Sequence, residues 1–168
     1  MTNALKKSGI VSVIFLLILC PACQDEVICT QDMISRVVAG FYVRDLAGER
    51  DTVLNDCTFY GVLRPDSLLY DGSSGISKIV FPLSQHEVEY TGFILKTDSL
   101  ADTLRIYHSS RQELISFSCG FATVHIIEGL GYENSLIDTI SISNSLVDLT
   151  DYENLKIYLR PAVADSVE

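Results

Sequence analysis

The sequence predicts an all-β chain folded as an antiparallel β-sandwich, immunoglobulin-like or jelly-roll-like, of about eight or nine strands. Three observations lead there: apolar residues alternate with a period of two, polar turn signals recur between the runs, and no amphipathic helix pattern follows residue 20. SRVVAGFYV (35–43) and CTFYGVL (57–63) are almost continuously apolar, as strands covered on both faces would be. SKIVFPL turns Ile79, Phe81 and Leu83 inward, and DTLRIYH does the same with Leu104 and Ile106. FATVHII places Ala122, Val124 and Ile126 on one face, with Thr123 and His125 on the other. DTISIS turns Ile140 and Ile142 inward, and NLKIYLRP alternates Leu155, Ile157 and Leu159 against Lys156, Tyr158 and Arg160. LAGERD, RPDS, DGSSG, KTDSLAD, GLGYEN and DLTDYEN supply the turns. A barrel is the alternative closure of the same strands.

The first 22 residues read as a lipoprotein signal peptide, expected as a separate helix outside the core. Lys6 and Lys7 precede an apolar run from Ile10 to Leu19, followed by Cys20-Pro21-Ala22-Cys23. That order of charge, greasy run and small residues is the signature of a secretory leader, and the run is shorter than the about 20 residues of a membrane span. Cys20 and Cys23 at the end of such a run do not make a redox or zinc pair, because no folded helix terminus or second ligand pair accompanies them. A cysteine after a leader resembles a bacterial lipoprotein box. Cys23, preceded by the small Ala22, is the acylation site this implies. Gln24-Asp25-Glu26 then resembles the acidic tags of surface-exported lipoproteins of Bacteroidota. The organisation expected is a leader at 1–22, a lipidated segment at 23–34, a sandwich at 35–161 and a disordered tail at 162–168.

Of 12 Lys and Arg, the leader removes Lys6 and Lys7, leaving 10 bases against 22 acids and a net charge of −12. Such a surface repels nucleic acid and anionic headgroups, so attachment to a membrane falls to acyl chains. The remaining 146 residues suit one domain able to bury a core without a metal.

Outside the cytoplasm two of the three remaining cysteines can pair, and spacing alone does not choose which. Cys57 shares strand parity with Phe59 and Leu63, as a buried free thiol would. That leaves Cys29 with Cys119. A bridge closing so long a loop contributes on the order of 4–5 kcal/mol in the chain-entropy account.

Motifs for chemistry are sparse. No Gly-x-Ser-x-Gly elbow is present, and DGSSG (71–75) is turn chemistry. His86, His108 and His125 fall on separate segments without metal-ligand spacing and read as surface histidines. Gly129-Leu130-Gly131 lacks the third glycine of a dinucleotide loop and reads as a hairpin turn. Asp148, Asp151 and Glu153 lack the spacing of a calcium loop. No catalytic residue, metal or cofactor is predicted. Glycan binding would rest on Tyr107 and Tyr158, both expected to face outward, since the chain has no Trp. Asp-Ser/Thr-aliphatic triplets recur where composition yields roughly one, and resemble the O-glycosylation sequon of Bacteroidota, with Thr52, Ser67, Ser99, Thr103 and Thr139 as acceptors. The same triplets also suit capped turns leading into strands.

CQDEVIC, VVAGFY, DTLRIYH, SFSCGF and NLKIYL together resemble a family of small Bacteroidota lipoproteins of unknown function. The resemblance implies the Cys29–Cys119 bridge, treats Cys57 as additional, and assigns no activity. The expectation is a lipid-anchored protein of the outer membrane, on its periplasmic or surface side, acting as a non-catalytic binding or structural module. Its expected partner is another envelope protein, with no role for nucleic acid. An envelope hydrolase with carboxylates assembled by the fold, or a glycan-binding accessory protein, are the alternatives.

Overall fold

The structure is a computed structural model that describes residues 29, 32–86 and 88–161. The chain divides into two compact units, 1–30 and 31–168, and the sandwich lies in the second. The leader, Cys23 and the tail 162–168 lie outside the described residues.

Eleven strands follow in order: β1 (Arg36–Asp45), β2 (Gly48–Asp51), β3 (Cys57–Gly61), β4 (Leu68–Ser73), β5 (Lys78–Pro82), β6 (Tyr90–Lys96), β7 (Ala101–Ser116), β8 (Gly120–Tyr132), β9 (Ile137–Ile142), β10 (Leu146–Val147) and β11 (Leu155–Leu159). They form two packed sheets, as the alternation predicts. One sheet runs β2-β1-β11-β9 with β5 also paired to β1, and the other runs β10-β8-β7-β6-β3-β4. The count exceeds the expected eight or nine. Strands such as β2 and β10, of four and two residues, are too short to show a period.

The two sheets meet through three phenylalanines. Phe59 of β3 and Phe93 of β6 stack at 5.0 Å, and Phe81 of β5 reaches across to them at 4.9 and 4.6 Å. Around them pack Val37, Phe41, Ile79, Leu95, Leu104, Ile106, Leu155 and Ile157, all buried. Cys57 is buried there too, a free thiol whose pKa is pushed up to about 11 by burial and then by Asp56. Leu63, placed on the same inward row in the sequence, is instead exposed in the turn after β3.

Not every pairing is antiparallel. β1 and β11 run parallel, with Ala39 opposite Leu155 and Phe41 opposite Ile157. Both rows of β8 carry buried residues. His125 and Ile127 share the face that β7 presents with His108 and Ser110, their cross-strand partners. Val124 is on the opposite face and buried, lining a groove with Leu146 and Leu149. Ile126 is partly exposed, and so is Ile142 of β9, which the alternation turns inward. Two-sided cover defeats an alternation rule, because both rows of β8 are then apolar. Gly129 and Gly131 sit inside β8 rather than in a turn; a Cβ at either would contact the Tyr107 ring across the strand pair.

Two buried polar side chains join elements that ladders do not reach. The Asp102 carboxylate accepts from the N–H groups of Ser135, Leu136 and Ile137 at 2.8, 2.9 and 2.7 Å, tying the start of β7 to the turn before β9. Asn154 accepts from Val38 N at 3.0 Å and donates to the carbonyls of Asn144 and Leu146 at 3.1 and 2.8 Å. Removing the Asp102 carboxylate orphans three N–H groups. Asp102→Ala should therefore cost on the order of 3 kcal/mol of folding stability in urea unfolding, and Asp102→Asn less, because an amide oxygen still accepts.

Candidate functional site

Polar chemistry concentrates in three places. The first is a histidine–hydroxyl cluster where β6, β7 and β8 meet. The bulge between Tyr107 and His108 sets His108 opposite Ile127 and Ser110 opposite His125. Both imidazoles are buried, so the surface role expected for His108 and His125 is overturned. Their rings meet edge-on at 5.1 Å. Thr91 Oγ1 lies 2.8 Å from His108 Nε2 and accepts the Ser84 N–H at 3.1 Å. Ser110 Oγ lies 2.7 Å from His125 Nδ1 and 3.3 Å from His108 Nδ1. A serine hydroxyl holds one proton, so it donates to one ring and accepts from the other. Ser110 thus bridges the two rings, while Thr91 holds the far nitrogen of His108.

Ser110 and His125 have the separation of a nucleophile and its base, but not the tuning. Burial first, and His108 second, lower the His125 pKa to about 4. His108 is lowered by burial too, partly offset by Glu128. A general base works best near the operating pH, and one at about 4 draws a serine proton weakly. The cluster is a neutral hydrogen-bonded joint.

The second place is the outer face of β1 and β11. Tyr42 and Tyr158 are register partners with rings 5.9 Å apart and tilted by 44°. Tyr42 donates to Glu153 at 2.7 Å and Tyr158 to Glu49 at 2.6 Å. The Arg44 guanidinium lies 4.3 Å over Tyr158, the Lys156 ammonium 4.7 Å over Tyr42, and Lys156 also pairs with Glu49. Burial and then the Glu153 hydrogen bond push the Tyr42 pKa up. Gly40 is what makes room: a Cβ there would meet Glu153 Oε2 at 2.3 Å. Tyr158 is thus on the outer face but covered, and a sugar ring would have to displace Arg44 to stack on it. Tyr107 faces out beside Tyr90, their rings tilted by 54° rather than parallel.

The third place is acidic. Asp56, in the left-handed region at φ 51°, shares a hydrogen bond with Asp98 that raises its pKa, with burial and the Asp98 charge adding to the shift. Both carboxylates lie on loops rather than in a cleft. Among the described residues no group of three or more His, Cys, Asp or Glu side chains is arranged to hold a metal. An open groove of about 250 Å³ runs on the outer face of β7 and β8, with the Arg111–Glu113 ion pair (3.2 Å) along it.

The remaining sites scatter. Cys29 and Cys119 are joined in a disulfide, as the resemblance implies. Ser67 and Ser99 are exposed in turns, while Thr52 is half-buried after β2. Thr103 lies within β7, where Glu133 accepts its N–H at 3.1 Å, and the Thr139 hydroxyl in β9 is 3.3 Å from Tyr132 Oη. Asp102, placed in a triplet by sequence, is a buried structural acceptor. The inward parity of Leu104 and Ile106 did extend to His108 in the sequence; His125 carried no such signal.

The fold and these clusters define a disulfide-bearing, all-β sandwich module. More particularly, residues 56–159, over half the chain, match the model of a family of unknown function, DUF6452, and the chain belongs to that family. The match spans DTLRIYH, SFSCGF and NLKIYL but begins after CQDEVIC and VVAGFY. No curated protein and no solved structure matches the chain.

Two measurements follow. In thiol titration, Cys57 should stay unreactive in the native domain; unfolding without reductant should release one thiol from residues 29–161, and adding reductant two more. Unfolded histidine protonates near 6.5, whereas folded His125 remains neutral down to about 4. The unfolded chain therefore binds the extra proton through that window. Stability is full above about pH 6.5 and falls as pH drops towards 4, with His125 contributing on the order of 3 kcal/mol of the loss. His125→Gln should flatten the slope of unfolding free energy against pH between 6.5 and 4.

Proposed function

We propose that this protein is a lipid-anchored module of the cell envelope, acylated at Cys23, which binds another envelope protein through a sheet edge. The Cys29–Cys119 disulfide supports an oxidising compartment outside the cytoplasm. The observation that carries the binding role is the β3–β4 hairpin. β4 is the last strand of its sheet, and Leu68 and Leu69 on it are each 41% exposed, beside exposed Val62 and Leu63 in the turn. An open edge with exposed aliphatics invites a strand from a partner, whose backbone would complete the ladder and whose side chains would cover the leucines. The histidine–hydroxyl cluster favours this over hydrolysis, since its hydrogen bonds are made within the domain. If the Asp-Ser/Thr triplets are glycosylated, Ser67 and Ser99 are the accessible acceptors.

Native membranes carrying a photo-crosslinking residue at Leu68 should yield one stoichiometric adduct. The same residue at exposed Tyr152, away from the edge, should yield none. Equal or absent crosslinking at the two positions overturns the edge assignment. Cys23→Ala should release the protein from the membrane fraction; retention there overturns the anchor.

A further inference from the structure

We propose that the tip of the β7–β8 hairpin rests in the lipid–water interface beside the acyl anchor, fixing how the sandwich stands on its membrane. This deepens the reading of Cys23 as the acylated residue and rests on it.

The hairpin outruns its sheet. Pairing of β7 with β6 ends at Tyr90 opposite Tyr107, whereas β7 and β8 continue together to Ser116 opposite Gly120. β10 flanks β8 only at His125 and Ile126. Beyond Gln112 and Thr123, where Ile34 bridges β8, the two strands project as a ribbon about 14 Å long.

That ribbon carries exposed apolar side chains. Phe117 at the turn is 100% exposed, and the cross-strand neighbours Leu114 and Phe121 are 48% and 63% exposed. Residues 114–127 contain no Asp, Glu, Lys or Arg, in a chain of net charge −10. The nearest charges, Arg111 and Glu113, are paired to each other. Large aromatic and aliphatic groups flanked by Ser116 and Ser118 suit the boundary between headgroups and acyl chains, where an acidic surface would be repelled.

The covalent structure says which surface the tip meets. Cys119 lies in the tip and is bonded to Cys29, six residues after Cys23. Six residues span at most about 21 Å. The disulfide therefore keeps the apolar turn close to the acylated sulfur, and hence to the bilayer. Meanwhile β1 leads away: its approach segment bridges β8 in parallel at Ile34 and Thr123, so Asp45 and the exposed Leu46 lie at the opposite end.

The absence of Trp gives a direct test. Phe117→Trp, Phe121→Trp and Leu46→Trp each place a single fluorophore at an exposed position in the full-length, acylated protein. Each is reconstituted into phosphatidylcholine vesicles containing lipids brominated near the top of the acyl chains. Vesicle flotation and intact mass report the anchor independently. The expected result is flotation of all three, with blue-shifted emission and loss of most of the signal to bromine for Trp at 117 and 121, and none at 46. Flotation with unquenched, water-like emission at 117 and 121 overturns the proposal while leaving the anchor intact. Blue-shifted but unquenched emission places the tip against protein, a second copy included, and overturns it equally. Failure to float, with no acyl mass on Cys23, removes the anchor and the proposal together.

Discussion

The parallel pairing of β1 with β11 is the constraint on which the rest of this fold depends. β1 is apolar on both rows and half of its backbone groups face each neighbour, so it needs cover on both faces and a strand on both sides. β5 and β2 supply one side. The other is filled by β11, the last strand, which brings a distant part of the chain into the centre of the sheet. Asn154 completes the junction just before β11: its backbone N–H donates to Val38 O while its side-chain oxygen accepts the Val38 N–H, a two-bond clasp that copies a ladder rung. With that clasp made, the strand faces carrying Phe41, Leu155 and Ile157 are committed to the core, and the residues before β1 are led along the edge of β8.

The buried polar groups share a logic. Asp102, Asn154 and the His108–His125 pair sit where a ladder stops and backbone or ring nitrogens would otherwise go unpaired. Each answers that need with a side chain. The depressed basicity of His125 follows from the burial that makes it a good joint. Exposed aliphatic and aromatic side chains gather instead at the β4 edge and the tip of the β7–β8 hairpin.

The legibility of these features in sequence followed how one-sided each strand is. Leu155, Ile157 and Leu159 alternate with Lys156, Tyr158 and Arg160, so period two gives their direction. β8 has apolar residues on both rows, so period two does not say which row faces inward, and this hides His125. Asp102 looks like a turn residue because its Asp-Ser/Thr-aliphatic pattern recurs elsewhere; only the arrival of Ser135–Ile137 above it turns a polar residue into a buried acceptor. Tyr158 pointed outward as expected, yet Arg44 and Glu49, more than a hundred residues earlier, cover it.

By itself the sequence determined that this is a β-sandwich with polar turns and that Cys57 is a core residue. These follow from local periodicity, local composition and short-range order, which a chain carries in itself. Tertiary structure alone decided the parallel closure of first and last strands, the inward turn of His125, the partners of Asp102 and Asn154, and the projection of a hairpin beyond its sheet. Those depend on which distant backbones arrive to satisfy a donor or cover a face, and no window of sequence contains both halves of such a contact.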